Sequence, residues 1–211
     1  MNRRGGRPRP PATSQRIIGL TGGSGSGKST ALRVLEGTGA HVIDCDALYH
    51  KLLTENAAMV EEITAHFPSV MIGGTLDRKA LGEIVFQDSE ALEALNKITH
   101  HHVCQAVDGE IAAYKDKLLA IEAIALIESG LADRCTSVVG ILAPIEERIR
   151  RIVAREGIEE AYARARIESQ KSDAFFKEHC DHIIENTYPT AEAFAEVCGG
   201  RFTEIIAEGE A

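Results

Sequence analysis

The chain has no pair of cysteines spaced C-x-x-C, and its five cysteines, Cys45, Cys104, Cys135, Cys180 and Cys198, are an odd number. A disulfide framework is excluded, and the five read as reduced thiols. No apolar run is long enough to cross a bilayer. Residues 1–15 carry Arg3, Arg4, Arg7 and Arg9 with no acidic residue, and they lack the apolar stretch of a secretory signal. These absences imply a soluble, cytoplasmic protein with no membrane partner and a disordered basic tail over 1–15. Basic charge is scarce beyond that tail: setting its four arginines aside turns the formal net charge of −9 into −13. Such a body has no broad basic face with which to displace counterions, so nucleic acid is excluded as a partner. Internal repeats are missing as well. With 211 residues, 44% of them hydrophobic, the chain can bury one full core with inserted parts, and a monomer is expected.

What is present centres on residues 17–30, Ile-Ile-Gly-Leu-Thr-Gly-Gly-Ser-Gly-Ser-Gly-Lys-Ser-Thr. Gly22, Gly27, Lys28 and Ser29 fit G-x-x-x-x-G-K-[ST], a loop whose backbone N–H groups wrap phosphate oxygens. Lys28, read as an exposed loop cation, reaches the β- and γ-phosphates, and the Ser29 hydroxyl ligates Mg²⁺. Glycine is needed because converging N–H groups require positive φ, and because backbone must approach phosphate closely. A short apolar strand precedes the loop, and a helix from Lys28 to Glu36, stopped by Gly37 and Gly39, follows it. That context separates the motif from a Gly/Ser linker.

Ala40–Ile43 reads as a second strand running into Asp44-Cys45-Asp46. In extended backbone residues two apart share a face, so Asp44 and Asp46 can both point into the crevice above the strand ends; the alternative makes Asp46 the N-cap of the helix that follows. Residues 54–117 are mostly helical, broken at Pro68 and Gly73-Gly74, with no strand of sheet quality. A block of that length exceeds an ordinary crossover, so an inserted substrate-facing subdomain is expected at about 54–116. Asp77 is its clearest N-cap. Arg78 and Lys79 then sit in a first turn that disfavours cations, which suits either an anionic ligand or a solvated helix start.

The three imidazoles of His100-His101-His102 cannot converge on a metal, since consecutive helical residues point about 100° apart; His100 and Cys104, at i and i+4, could, but no further ligand cluster accompanies them, and helix-surface or crevice histidines are expected. Lys117–Glu122 is a buried strand whose last residue, Glu122, stands where a second-strand carboxylate supports Mg²⁺ in phosphate-loop folds. Glu128 caps or salt-bridges in the bland reading. Thr136–Ala143 and His182–Asn186 complete the strands, and Thr190–Ile206 is a closing helix. After Pro144, Arg148, Arg151 and Arg155 fall on one helical face. Ordinary pairs such as Glu147 with Arg151 would account for them, as would a lid over polyphosphate spanning about 144–178, with Arg151 and Arg155 its better candidates and a second helix running to Lys177.

In this order the segments resemble dephospho-CoA kinase over roughly residues 16–207. The resemblance rests on Gly19–Ser29, Ile43-Asp44-Cys45-Asp46, Leu76-Asp77-Arg78, Leu95-Asn96 through His100, Ala125–Glu128, Arg151-x-x-x-Arg155, Gln170, and Asp181–Asn186. Ile124 and His101 stand where the family has proline, and Asp173-Ala174-Phe175-Phe176 replaces a basic stretch, which marks a divergent branch. The resemblance implies an α/β, three-layer P-loop fold: a parallel sheet of about five strands, an inserted helical substrate subdomain and a helical lid, all within a kinase domain over 16–207. It also implies an enzyme that uses ATP and Mg²⁺ to phosphorylate the ribose 3′-hydroxyl of dephospho-CoA. Gly23, Ser24, Gly25, Ser26, Gly27, Lys28, Ser29, Thr30 and Asn186 would bind nucleotide; Asp44, Asp46, Arg78, His100 and Glu128 would bind acceptor. Asp46 would take the acceptor proton, with Lys28, Arg151 and Arg155 on the transferring group. Ser29 would hold Mg²⁺, supported through water by Asp44 or Glu122.

Two other readings share the loop. A uridine-kinase-like enzyme uses a similar glycine pattern, and a GTPase switch would need N-K-x-D, to which Asn96-Lys97-Ile98-Thr99 comes nearest but ends in Thr.

Overall fold

The computed structural model describes residues 15–115 and 118–208. The basic segment 1–14 and Lys117 lie outside that range. Described residues divide into two compact units, one made of the chain up to Ile43 and from Tyr114 on, the other of Asp44–Ala113.

The first unit is built on a five-stranded sheet. In chain order its early elements are β1 (Ile17–Thr21), α1 (Lys28–Gly37) and β2 (His41–Asp44). The second unit follows with α2 (Cys45–Glu55), α3 (Ala57–His66), β3 (Met71–Ile72), β4 (Thr75–Leu76), α4 (Arg78–Gln87) and α5 (Ser89–Ala113). The chain then returns to the first unit as β5 (Leu119–Glu122), β6 (Ser137–Leu142), α6 (Ile145–Glu156), α7 (Glu160–Glu168), α8 (Asp173–His179), β7 (His182–Glu185) and α9 (Ala191–Glu208). The sheet order is β2-β5-β1-β6-β7, with β1 parallel to both β5 and β6, and β6 parallel to β7.

Every residue of β1 is buried, as expected for a near-continuous apolar run covered on both faces. Alternation divides its side chains. Ile18 and Leu20, with Val139 and Ile141 of β6, join Leu35 of α1 and Phe194, Cys198 and Phe202 of α9 in one apolar cluster. Gly19 points the other way, where a Cβ would sit 2.7 Å from both Cys135 Sγ and Leu126 Cδ2. The segment after β5 therefore presses on this strand closely enough to require glycine. No helix among the described residues is long and apolar enough to cross a membrane.

The second unit has its own core of Leu53, Met59, Ile63, Phe67, Val70, Leu81, Leu95 and Ile98. Its helices begin where short polar side chains catch free amides: Asn56 accepts from Met59 N at 3.0 Å, and Asp77 accepts from Lys79 N and Ala80 N at 2.9 and 3.0 Å. Asp77 is thus the expected N-cap. One expectation fails here, because Met71–Ile72 and Thr75–Leu76 pair as a two-residue antiparallel hairpin across Gly73-Gly74. The glycine pair that read as a helix break is its turn, with φ of 59° and 83°. The second charged helix of residues 144–178 is not continuous either: α7 ends before Ser169, and Ser172 Oγ accepts Phe175 N to begin α8.

Candidate active site

The phosphate loop occupies residues 22–27 between β1 and α1. Gly22 has φ 142° and a Cβ there would lie 2.2 Å from Ile141 O; Gly27 has φ 109° and a Cβ would meet Asn186 Nδ2 at 2.4 Å. Both positions are closed to any other residue. Gly27 precedes α1, and its carbonyl accepts Thr30 N at 3.0 Å and Ala31 N at 3.2 Å, so the helix starts at the loop and its partial positive charge lies there. Ser26 Oγ is buried with no hydrogen-bond partner. An orphaned hydroxyl inside a glycine-rich turn fits a loop built to receive an oxyanion.

Lys28 is not the exposed cation expected from the sequence. Its side chain is 11% exposed, lies 3.6 Å from Glu122 Oε1 at the end of β5, and donates to Gly23 O at 3.4 Å. The β1·β5 register pairs Leu20 with Glu122 and so brings this carboxylate beside the loop. Ser29 is exposed in the first turn of α1, with Thr30 half-buried behind it.

Side chains from far along the chain hold the loop's shape. Arg148, 4% exposed on α6, donates through Nε to Ser24 O at 2.9 Å and through Nη2 to Gln170 Oε1 at 2.9 Å. Gln170 accepts Ser24 N at 2.9 Å and donates to Ser24 Oγ at 2.7 Å. Arg151 donates to Gly25 O at 3.2 Å and to Ser26 O and Asn186 Oδ1 at 3.4 Å each, and Asn186 Nδ2 donates to Ser26 O at 2.8 Å. The loop thus has cations, a helix N-terminus and bracing on three of its carbonyls, which suits it to hold a polyphosphate rigidly.

A family model described as dephospho-CoA kinase matches residues 16–192. The chain belongs to the dephospho-CoA kinase family. It is 37% identical over 171 residues to a dephospho-CoA kinase of Thermus thermophilus, covering 81% of this chain and 83% of that protein. Among solved structures, TT1252 from Thermus thermophilus matches with a TM-score of 0.77 at 33% identity, covering 92% of this chain and 97% of that one. A dephospho-CoA kinase from Campylobacter jejuni matches with a TM-score of 0.58 at 28% identity, covering 90% and 97%.

Several residues expected to act in this member of the dephospho-CoA kinase family stand differently from the sequence reading. The three arginines grouped on one face of α6, Arg148, Arg151 and Arg155, do not share one role. Arg148, the weakest lid candidate, is buried under Ser24, whereas Arg155 is exposed and paired with Glu156. Glu147 pairs with Arg150, not with Arg151. Asn186 is buried and tied to Ser26 and Arg151, so its amide braces the loop. Glu128 is exposed in the turn after β5.

The remaining candidates belong to the second unit. Asp44 and Asp46 are not alternate residues of one extended strand, because β2 ends at Asp44 and Cys45 already begins α2. Asp44, not Asp46, is the N-cap: its Oδ1 accepts Ala47 N at 2.9 Å. Asp46 is exposed in the first turn, where a carboxylate is favoured by the helix dipole. Arg78 Nη2 lies 2.8 Å from His50 Nδ1, one helical turn along α2 from Asp46. Burial pushes the nearby Tyr49 hydroxyl's pKa up, and the Arg78 charge partly opposes this. Of the histidine run, His100 is half-buried, His101 meets Gln105 at 3.0 Å, and His102 is buried against Glu62 at 2.9 Å. No group of three or more His, Cys, Asp or Glu among the described residues could hold a metal.

Gln170 is the main functional residue whose role sequence reasoning missed. Its place in the family pattern was visible, but the bonds that give it a role join it to Ser24 from 146 residues away.

Proposed function

We propose that this chain transfers the γ-phosphoryl group of ATP to the ribose 3′-hydroxyl of dephospho-CoA, giving coenzyme A and ADP. The braced phosphate loop, in a chain that matches the family over residues 16–192, carries the reading. Lys28 lies against the loop with Glu122 fixing its position, so its ammonium offsets charge on the β- and γ-phosphate oxygens. Loop amides and the start of α1 bind the same oxygens, and Arg151 keeps the Gly25 and Ser26 carbonyls turned away from them. Ser29 and Glu122 supply hard oxygens suited to Mg²⁺. A bound Mg²⁺ would neutralise charge on the phosphates.

On the acceptor side, Asp46 is the base. It is an exposed carboxylate with the cap position already filled by Asp44, so it is free to orient the attacking hydroxyl and accept its proton. Arg78, His100 and Glu128 are assigned to the acceptor, and Arg155 to closure over the transferring group. The helical block at about 54–116 is assigned to coenzyme recognition and 144–178 to the lid.

The test is ADP release from Mg-ATP with dephospho-CoA, uridine, nucleoside monophosphates or no acceptor. Dephospho-CoA should stimulate release and yield coenzyme A. Turnover of uridine in its place would move the assignment to a nucleoside kinase. Dephospho-CoA should also slow amide exchange over 54–116 in a way that adenosine, lacking the pantetheine arm, does not.

A further inference from the structure

Ser24 has three hydrogen-bonding groups, and all three are taken by the same two side chains. Its N–H goes to Gln170 Oε1, its hydroxyl accepts Gln170 Nε2, and its carbonyl accepts Arg148 Nε. Gln170 Oε1 also accepts Arg148 Nη2, which closes the arrangement into a ring of bonds among α6, the residue after Ser169 and the loop. The fit is tight. A Cβ on Gly23 would stand 2.0 Å from Arg148 Nη2, and one on Gly25 would stand 2.7 Å from Arg148 O. Beneath this ring, Ile149 and Ile152 of α6 pack on Ala163 and Ile167 of α7. The helix pair and the loop corner are therefore one packed piece.

The charge balance at this corner is uneven. Lys28 faces a carboxylate at 3.6 Å, but the two acceptors of Arg148, a backbone carbonyl and a carboxamide, are both neutral. Among the described residues no carboxylate is within hydrogen-bond distance of its guanidinium. Burial draws the Arg148 pKa below its ordinary value, with Asp173 opposing this more weakly through space. Arginine nonetheless stays protonated in proteins, so a full positive charge sits buried directly behind a phosphate loop. A buried cation with no carboxylate in direct contact is unfavourable, and an anion brought close to it relieves that cost.

We propose that Arg148 is a positioning residue that holds the loop through Ser24 and whose buried charge is balanced by the bound polyphosphate. It does not touch the phosphates; it fixes the loop corner and raises the loop's affinity for a triphosphate. This rests on the kinase reading only in taking a polyphosphate as the loop's ligand.

The test measures binding of inorganic tripolyphosphate and of adenosine to the full chain by calorimetry, in wild type, Arg148→Gln and Arg148→Lys. Tripolyphosphate carries neither base nor acceptor, so the result stands whatever the acceptor proves to be. Arg148→Gln should weaken tripolyphosphate binding about tenfold, and Arg148→Lys, which keeps the charge and loses the fork, by less than about threefold. Adenosine affinity should be equal in all three. Unchanged tripolyphosphate binding in Arg148→Gln overturns the proposal. So does an equal loss in Arg148→Lys, which would make the residue a neutral brace. Should Arg148→Gln fail to fold, Gln170→Glu decides: it keeps an acceptor for Ser24 N–H and gives Arg148 a carboxylate. A folded protein with about tenfold weaker tripolyphosphate binding is expected, and wild-type affinity or failure to fold counts against the inference.

Discussion

Ser24 is bonded by Gln170 from 146 residues away and Ser26 by Asn186 from 160 away, whereas Asp44 and Asp77 bond amides only two or three residues further on. The phosphate loop and the helical unit of residues 44–113 are thus held in different ways. Loop carbonyls and amides have no regular ladder to satisfy them, so distant polar side chains must fix their orientation. Helix starts need only one short side chain each. A change at the loop should therefore cost chemistry, and a change at a cap should cost stability alone.

The largest expected effect tests the loop. Lys28→Ala should lower kcat on the order of 10⁴-fold, since it removes the cation that offsets charge on the transferring phosphates and takes from Glu122 the ammonium at 3.6 Å. Steady-state rates check it, with circular dichroism to show a retained fold. Activity within a few-fold of wild type would sever the loop from the chemistry.

Asp46→Asn comes next and carries the comparison into the helical unit. Loss of a general base should cost on the order of 10³-fold in single-turnover rate, with acceptor Kd changed little, because Asn keeps the shape and one oxygen. Asp44→Asn should turn over near wild type, since Asn caps as well as Asp. If both variants lose rate equally, the separate roles given to the two carboxylates are wrong.

What could be read beforehand follows the same division. Glycine spacing, the strand before it and the helix after it are local, and they placed β1, the loop and α1 within a residue or two. Asp77 was readable as a cap because its partners are Lys79 and Ala80. The brace was not readable. One-face periodicity grouped Arg148, Arg151 and Arg155, but which turn of α6 faces the loop depends on how β6 places the helix start, a tertiary fact. The small hairpin at 71–76 was missed for a related reason: two-residue strands have too few residues for alternation to register. The shared face read for Asp44 and Asp46 does not exist because the strand-to-helix switch falls between them, and boundaries of that kind shift the face of every later residue.

Asn186→Ala tests the brace at intermediate strength. It removes the donor to Ser26 O and the acceptor of Arg151, and it opens space beside Gly27. The expected result is about a tenfold rise in the KM for ATP, from a loop no longer fixed before binding. A fall in Tm with no change in KM would make Asn186 a structural residue only.

The smallest effect is expected at Asp77, where the contrast between distant and local holding is sharpest. Its carboxylate satisfies the amides of Lys79 and Ala80 at that helix start, so Asp77→Ala should cost about 1 kcal/mol of stability. For a chain of this size that lowers Tm by about 2–4 °C. Asp77→Asn should recover most of the loss. Arg78 follows Asp77 directly and is tied to His50 at 2.8 Å, so frayed residues 77–79 could loosen a side chain assigned to the acceptor. That bond comes from a separate helix, however, and should keep Arg78 in place when the cap is gone. The KM for dephospho-CoA in Asp77→Ala should accordingly stay within about threefold of wild type while Tm falls. A larger rise in KM at unchanged kcat would show that the cap holds the acceptor site as well as the helix, and local holding in this unit would then carry function too.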